Sequence, residues 1–280
     1  MRTIEHAVAP AGRRTILGAA AVGFLMPSRR AAASPNEQDP WPALASQIFP
    51  DRVLEDGSDL FAIDAPYRAE DAAVVPVSMR IAQVPHDTRE IRKIVLAIDA
   101  NPSPVAATFT IEPGSGIDSI STRVRVDDYT NIHAVAEAND GRLYAVARYV
   151  KAAGGCSAPA LKQTADGIPV GTLRFRVFPA AEPGTDPNRR EAQVMVRHPN
   201  YSGMQMDQIS RLYIPADFLE VLRVWQGDRL LLTVEGGISI SENPVFRFGF
   251  KPDAAKTFRV EVGDTGGNRY SGVFPAEPAA

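Results

Sequence analysis

The sequence predicts an all-β protein: two immunoglobulin-like β-sandwich domains joined by a flexible linker. Short segments rich in β-branched residues recur at close intervals, with Gly, Pro, Asn or Asp between them. Several alternate apolar and polar residues with period two, as in "TRVRVDD" and "GTLRFRVFPA", the pattern of strands with one covered face. The stretch "SAPALKQTADGIPV" (157–170) has no strand pattern and divides the run of strands in two.

The elements follow in order. Residues 1–33 are set aside as an export signal: the pair Arg13 and Arg14 precedes an apolar stretch, Ile16 to Met26, and a small-residue site at Ala31 to Ala33. This layout points to the twin-arginine route, although Gly12 stands where Ser or Thr is usual, and Arg29 and Arg30 lie close to the cleavage site. Setting the segment aside removes five arginines but only Glu5, so the remainder is more acidic than the whole chain's net −3. The mature protein is expected to be soluble, acidic and periplasmic.

After a Pro- and Ala-rich lead-in comes one short helical piece, Trp41 to Phe49. Strands begin at "AVVPVSMRIAQV" (73–84) and continue through "IRKIVLAID", "VAATFTIE", "STRVRVDD", "NIHAVAEAND" and "RLYAVARYVKAA". The second half opens with "GTLRFRVFPA" (171–180), then "PGTDPNRR" as a loop. Further strands lie in "EAQVMVRHP", "EVLRVWQGDRLLLTVEGG", "NPVFRFGFKP" and "TFRVEVGDTGGNRYSGVFP", with turns at Gln226-Gly227-Asp228 and Asp264 to Gly267. Roughly a dozen strands suit two sandwiches. The divisions are a signal over 1–33, a sandwich over 34–153, a cysteine-bearing arm and linker over 154–170, and a second sandwich over 171–280.

Composition excludes several functions. The small net charge gives no electrostatic footprint for nucleic acid. No apolar run reaches the roughly 18 residues of a membrane span, so no membrane contact is expected after signal removal. No G-x-S-x-G, H-E-x-x-H or C-x-x-C motif occurs. His86 falls in a turn, His133 in a strand, and His198 stands apart from both, with no ligand-like spacing. "GDTGGN" (263–268) reads as a hairpin turn more readily than as a cation or phosphate loop. Neither catalytic activity nor a bound cofactor or metal is expected.

One residue stands out. Cys156 is the chain's single cysteine, so it forms no internal disulfide in an oxidising compartment. It lies too far from the signal to be a lipoprotein anchor. Gly154 and Gly155 precede it and Ser157 and Ala158 follow, a setting that reads as a flexible arm. No cation adjoins it in sequence, and an unshifted thiol, with pKa about 8.5, is only a few per cent thiolate at neutral pH. From the residues alone, a reactive carrier cysteine and an inert linker cysteine both stand.

Longer stretches carry a resemblance. "NPSPVAATFTI", "ISTRVRV", "NIHAVAEANDGRLYAV" and "VKAAGGCSAPA" resemble SoxY, the sulfur-carrier subunit of periplasmic sulfur oxidation. "GTLRFRV", "VMVRHPNYSGMQMD", "IPADFLEVLRVWQGDRLLLTVEGGISISENPVFRFGF" and "VGDTGGNRYSG" resemble its partner SoxZ. Together they are similar to single-chain SoxYZ-like carriers associated with quinoprotein dehydrogenases. The resemblance implies immunoglobulin-like halves, a covalent sulfur intermediate on Cys156, a flexible stem at Gly154 and Gly155, and periplasmic sulfur-oxidation or quinoprotein dehydrogenase-linked enzymes as partners. His198, Pro199, Asn243 and Pro244 match the SoxZ-like pattern as fold and interface residues. A scaffold or accessory role beside a quinoprotein dehydrogenase, with Cys156 incidental, is the alternative.

Two departures bear on mechanism. Family carriers hold the cysteine near a free C-terminus between paired glycines, whereas here Ser157 and Ala158 follow it and the chain continues. At about 3.3 Å per residue, Cys156 reaches at most ~20 Å beyond Val150, and it enters any partner as a doubled loop.

Overall fold

The computed structural model describes residues 39–82, 86–159, 167–179 and 189–277. The expected signal lies outside the described residues, as do 160–166 of the linker. The first half holds helix α1 (Trp41–Ile48) and strands β1 (Leu54–Asp56), β2 (Phe61–Asp64), β3 (Val75–Ile81), β4 (Ile91–Ile98), β5 (Val105–Ile111), β6 (Ser119–Val124), β7 (Thr130–Ala138) and β8 (Leu143–Val150). The second half holds β9 (Leu173–Phe178), β10 (Arg190–Val196), β11 (Leu219–Gln226), β12 (Arg229–Gly236), β13 (Val245–Phe250), β14 (Thr257–Asp264) and β15 (Arg269–Pro275). The all-β class agrees with the sequence, as does the short helix at the expected place. Strands β1 and β2 were not anticipated, because three- and four-residue segments are too short to show a period.

The strands form two sheets, one of nine in the order β1-β8-β7-β4-β5-β12-β11-β14-β15 and one of six in the order β2-β3-β6-β13-β10-β9. Each half contributes to both. The halves are therefore not two beads on a linker: each sheet runs without a break from one half into the other. In the larger sheet β5 pairs antiparallel with β12, from Leu232↔Ile111 to Gly236↔Ala107. In the smaller, β6 pairs with β13 through Phe248↔Ile120 and its neighbours. Edge strands expose unpaired backbone groups that seek a partner. Here each half covers an edge of the other.

Period-two burial explains why these segments are strands. In β3 the residues Val75, Val77 and Met79 are buried while Pro76 and Arg80 are exposed. The inward residues of both sheets form one core that spans the halves. Phe109 of β5 meets Phe246 of β13 edge-on, with ring centroids 6.2 Å apart. Phe250 of β13 meets Phe258 of β14 at 5.2 Å and a right angle. Such edge-to-face pairs add to the area their rings bury. Helix α1 touches the larger sheet at β7, where Trp41 stacks flat on His133 at 3.7 Å.

Candidate functional site around Cys156

After β8 the chain turns back and lies along the segment that follows β6. The backbone N–H of Gly154 donates to the Asp127 carbonyl (2.8 Å), and that of Gly155 to the Val126 carbonyl (3.0 Å). Gly154 has φ +77°, the left-handed region that favours glycine. Gly155 has a different reason for being glycine: a Cβ there would lie 2.1 Å from the Ala72 carbonyl oxygen and 2.7 Å from that of Val126. The two glycines thus permit a tight crossing as well as freedom. Residues 154–158, expected as a flexible arm, lie against the protein: the N–H groups of Gly154, Gly155 and Cys156 and the carbonyls of Gly155, Cys156 and Ala158 all have partners.

Cys156 itself is fully buried. Its N–H donates to Asp127 Oδ1 (3.3 Å), and its carbonyl accepts a short hydrogen bond from the Ser202 hydroxyl. Two residues beyond, Gln205 Nε2 donates to the Ala158 carbonyl (3.2 Å), and Gln205 Oε1 accepts from the Ser202 N–H (3.0 Å). The second half therefore grips the arm of the first. Burial pushes the Cys156 thiol up to about 12, with the Asp127 carboxylate adding to the rise and the Arg125 guanidinium opposing it. At rest the sulfur is a neutral thiol, shielded from solvent and unreactive.

Arg125 ties these parts together. It is 1% exposed, its Nη1 donates to the Gly155 carbonyl (3.4 Å), and its Nη2 donates to the Asn200 carbonyl (3.2 Å). Its own backbone is held by Ser239: the Arg125 N–H donates to the Ser239 carbonyl (2.7 Å). Asn101 Nδ2 donates to both the Arg125 carbonyl (2.8 Å) and Ser239 Oγ (2.9 Å). Asn200 in turn donates to the Ile240 carbonyl (2.7 Å) and accepts from the Leu219 N–H (3.0 Å). This network of buried amides and hydroxyls crosses the seam beneath the cysteine.

The histidines fall in three different places. His86 is exposed, with φ +69° in a turn. His133 is held by Asp99 Oδ1 (2.9 Å) under Trp41, a structural position. His198 is buried, and its Nδ1 accepts from the Asn200 N–H (3.0 Å). Its Nε2 faces Asp264 Oδ2 at 3.5 Å and Asp217 Oδ1 at 3.9 Å. Sequence spacing gave no hint of this cluster, whose donor atoms lie within 4.8 Å of one another. Burial lowers the His198 pKa although both carboxylates oppose it, so the ring is neutral. With Nδ1 accepting, the neutral ring carries its proton on Nε2 and presents a donor to the carboxylates, whereas a metal would need a free lone pair there. The set holds the loop before Asn200 in place. Asn243 and Pro244 lie beside it, with the Asn243 N–H donating to the His198 carbonyl (2.8 Å) and the Val196 N–H to the Pro244 carbonyl (3.0 Å). "GDTGGN" is the β14–β15 hairpin turn, closed by Asp264 accepting from the Asn268 N–H (2.8 Å).

Arg125, Asp127, Ser202 and Gln205 are the site residues that sequence reasoning missed. Arg125 and Asp127 lie in "RVRVDD", whose alternation reads as plain strand. Ser202 and Gln205 lie in "NYSGMQMD", far along the chain from Cys156.

Comparison with known proteins places two family models on the chain. The model described as sulfur oxidation protein SoxY matches residues 45–156. That described as sulphur oxidation protein SoxZ matches residues 180–275. Among solved structures, the sulfur carrier protein SoxY from Chlorobium limicola f thiosulfatophilum is 26% identical, covering 40% of this chain and 91% of its own, with a TM-score of 0.34. A superoxide reductase (neelaredoxin) from Ignicoccus hospitalis is 18% identical over 33% of this chain and 78% of its own, with a TM-score of 0.29. No curated protein matches.

Proposed function

A SoxY region and a SoxZ region in one polypeptide make this chain a SoxY–SoxZ fusion, and from that premise we propose that it carries a sulfur compound as a thiol-linked intermediate on Cys156. The supporting observation is where the cysteine lies. It is the last residue of the SoxY match, and residues of the SoxZ region hold its carbonyl and that of Ala158. The single thiol thus sits where both families meet.

Loading and unloading follow thiol exchange. The arm undocks, the Cys156 thiolate attacks a disulfide or persulfide sulfur on a donor, a new S–S bond forms, and the donor's thiolate leaves. Docking shields the loaded group, and a later nucleophile at a partner enzyme takes it off and returns the thiolate. Neither exchange changes the total number of disulfide bonds. Residues 1–33 act as a twin-arginine signal in this proposal, and the carrier works in the periplasm with sulfur-oxidation or quinoprotein dehydrogenase-linked partners.

Intact-mass spectrometry of protein purified from its native cell fraction tests the reading. Adducts of sulfur atoms or a sulfo group on Cys156, with residues 1–33 removed, are expected. Protein that carries only a free thiol throughout growth on reduced sulfur compounds overturns it. A second reading is favoured by the depth at which Cys156 is buried: an accessory scaffold for a dehydrogenase, with the thiol incidental. Cys156→Ser separates the two, since a carrier loses all function and a scaffold keeps it.

A further inference from the structure

We infer that Arg125 makes the docked arm selective for an anionic group on Cys156, acting as its counter-charge at the seam between the halves. The inference takes from the carrier reading only the class of cargo, a persulfide or a sulfo-terminated sulfur chain.

Arg125 heads the fully buried side chains by volume. Both of its described hydrogen bonds end on neutral carbonyls, at 3.4 and 3.2 Å, and its Nε–H is buried without a partner. Among the described residues no carboxylate lies within ion-pair distance of it. Asp71 and Glu242 act on it only at longer range, as does Cys156. A buried guanidinium without a matching anion is costly, and neutral donors would join two carbonyls at a lower desolvation cost. This charge, met by carboxylates only at longer range, sits beside the residue that carries the thiol: Nη1 is bonded to the carbonyl of Gly155, its immediate neighbour.

The bare thiol cannot use this charge. The Asp127 carboxylate also adjoins it, and burial with that carboxylate keeps the proton on sulfur. A persulfide or a sulfo-terminated chain is different: it is anionic at neutral pH and bears its charge beyond Sγ. Such a group has acceptors for an unmet guanidinium N–H, and charge-assisted bonds of this kind are the stronger class. A neutral adduct of similar size gains nothing from Arg125. Arg125 would thus be a positioning residue that sets which loaded forms stay docked.

The test compares two adducts on the full chain, labelled in denaturant and refolded. Tetrathionate leaves Cys156 as an S–S–SO3− adduct: the thiolate attacks an inner sulfur, the central S–S bond breaks, and thiosulfate departs. Methyl methanethiosulfonate leaves a neutral methyl disulfide and releases methanesulfinate. The rate at which a small phosphine reduces each adduct is divided by its rate in unfolded protein, which removes their intrinsic difference.

In the wild type the anionic adduct is expected to be protected at least tenfold more than the neutral one. Arg125→Met abolishes that preference, Arg125→Lys keeps part of it, and Asp127→Asn increases it. Equal protection of both adducts in the wild type overturns the inference, as does a preference that survives in Arg125→Met. Should Arg125→Met fail to fold, Arg125→Gln decides: a preference equal to the wild type's overturns the inference. The measurement needs no natural cargo, so failure of the carrier reading leaves its outcome independent.

Discussion

The grip of the second half on the arm sets how often Cys156 becomes available, and its strength can be worked from two side chains. Ser202 donates to the Cys156 carbonyl and Gln205 to that of Ala158. A typical intramolecular hydrogen bond contributes about 1 kcal/mol net, and 1.4 kcal/mol is a factor of ten in an equilibrium. Ser202→Ala or Gln205→Ala alone is therefore expected to raise the population of the undocked arm about fivefold. Losing both removes ~2 kcal/mol, or about thirtyfold, less any coupling between them, since Ser202 and Gln205 also bond each other. Alkylation by iodoacetamide at pH 8, followed by intact mass, reads this population directly. The thermal midpoint serves as a control: an unchanged Tm with faster labelling locates the opening at the arm. A double variant that labels within twofold of the wild type would refute the grip, as would wild-type protein labelling as fast as a small free thiol.

Three further outcomes follow. The docked thiol's pKa is raised to about 12 while the undocked one is near 8.5, so docking is fully favoured below pH 8.5 and lost as pH rises toward 12. The logarithm of the alkylation rate should therefore keep climbing with pH past 9, and a plateau near 8.5 would mean an arm already free. Gly155→Ala places a methyl 2.1 Å from the Ala72 carbonyl oxygen and should release the arm, accelerating alkylation more than tenfold, whereas Gly154→Ala meets nothing within 4 Å and pays only for its positive φ, about 1 kcal/mol. Because both sheets and the core cross the seam, urea unfolding should be one transition for both halves, and Phe109→Ala should destabilise the whole by about 3–5 kcal/mol; two separate transitions would show the halves to be independent.

The all-β class was legible because burial on a sheet alternates with period two, and "LRFRV" displays that period within the single strand β9. Hairpin turns were legible for a similar reason: Gly227 and Gly267 occupy positive-φ positions that few other residues tolerate. The candidate cysteine was equally local, being the chain's single thiol between glycines and small residues. These features rest on conformational or chemical properties of a residue and its immediate neighbours.

What joins distant residues was not written in any one stretch. The pairing of β5 with β12 and of β6 with β13 depends on which open edges meet, and "VAATFTIE" carries no mark of its partner. The glycines at 154 and 155 suggested mobility from sequence, yet the fold uses Gly155 to let three backbone segments approach where a Cβ would collide. Arg125 looked like one more outward residue of a strand until the second half closed over it. The sequence by itself determined the strands, the turns and the one thiol, since local backbone and side-chain chemistry decides these. Tertiary structure alone decided that the thiol is docked, neutral and held by the other half, because burial and the field at a site come from groups brought together only when the chain folds.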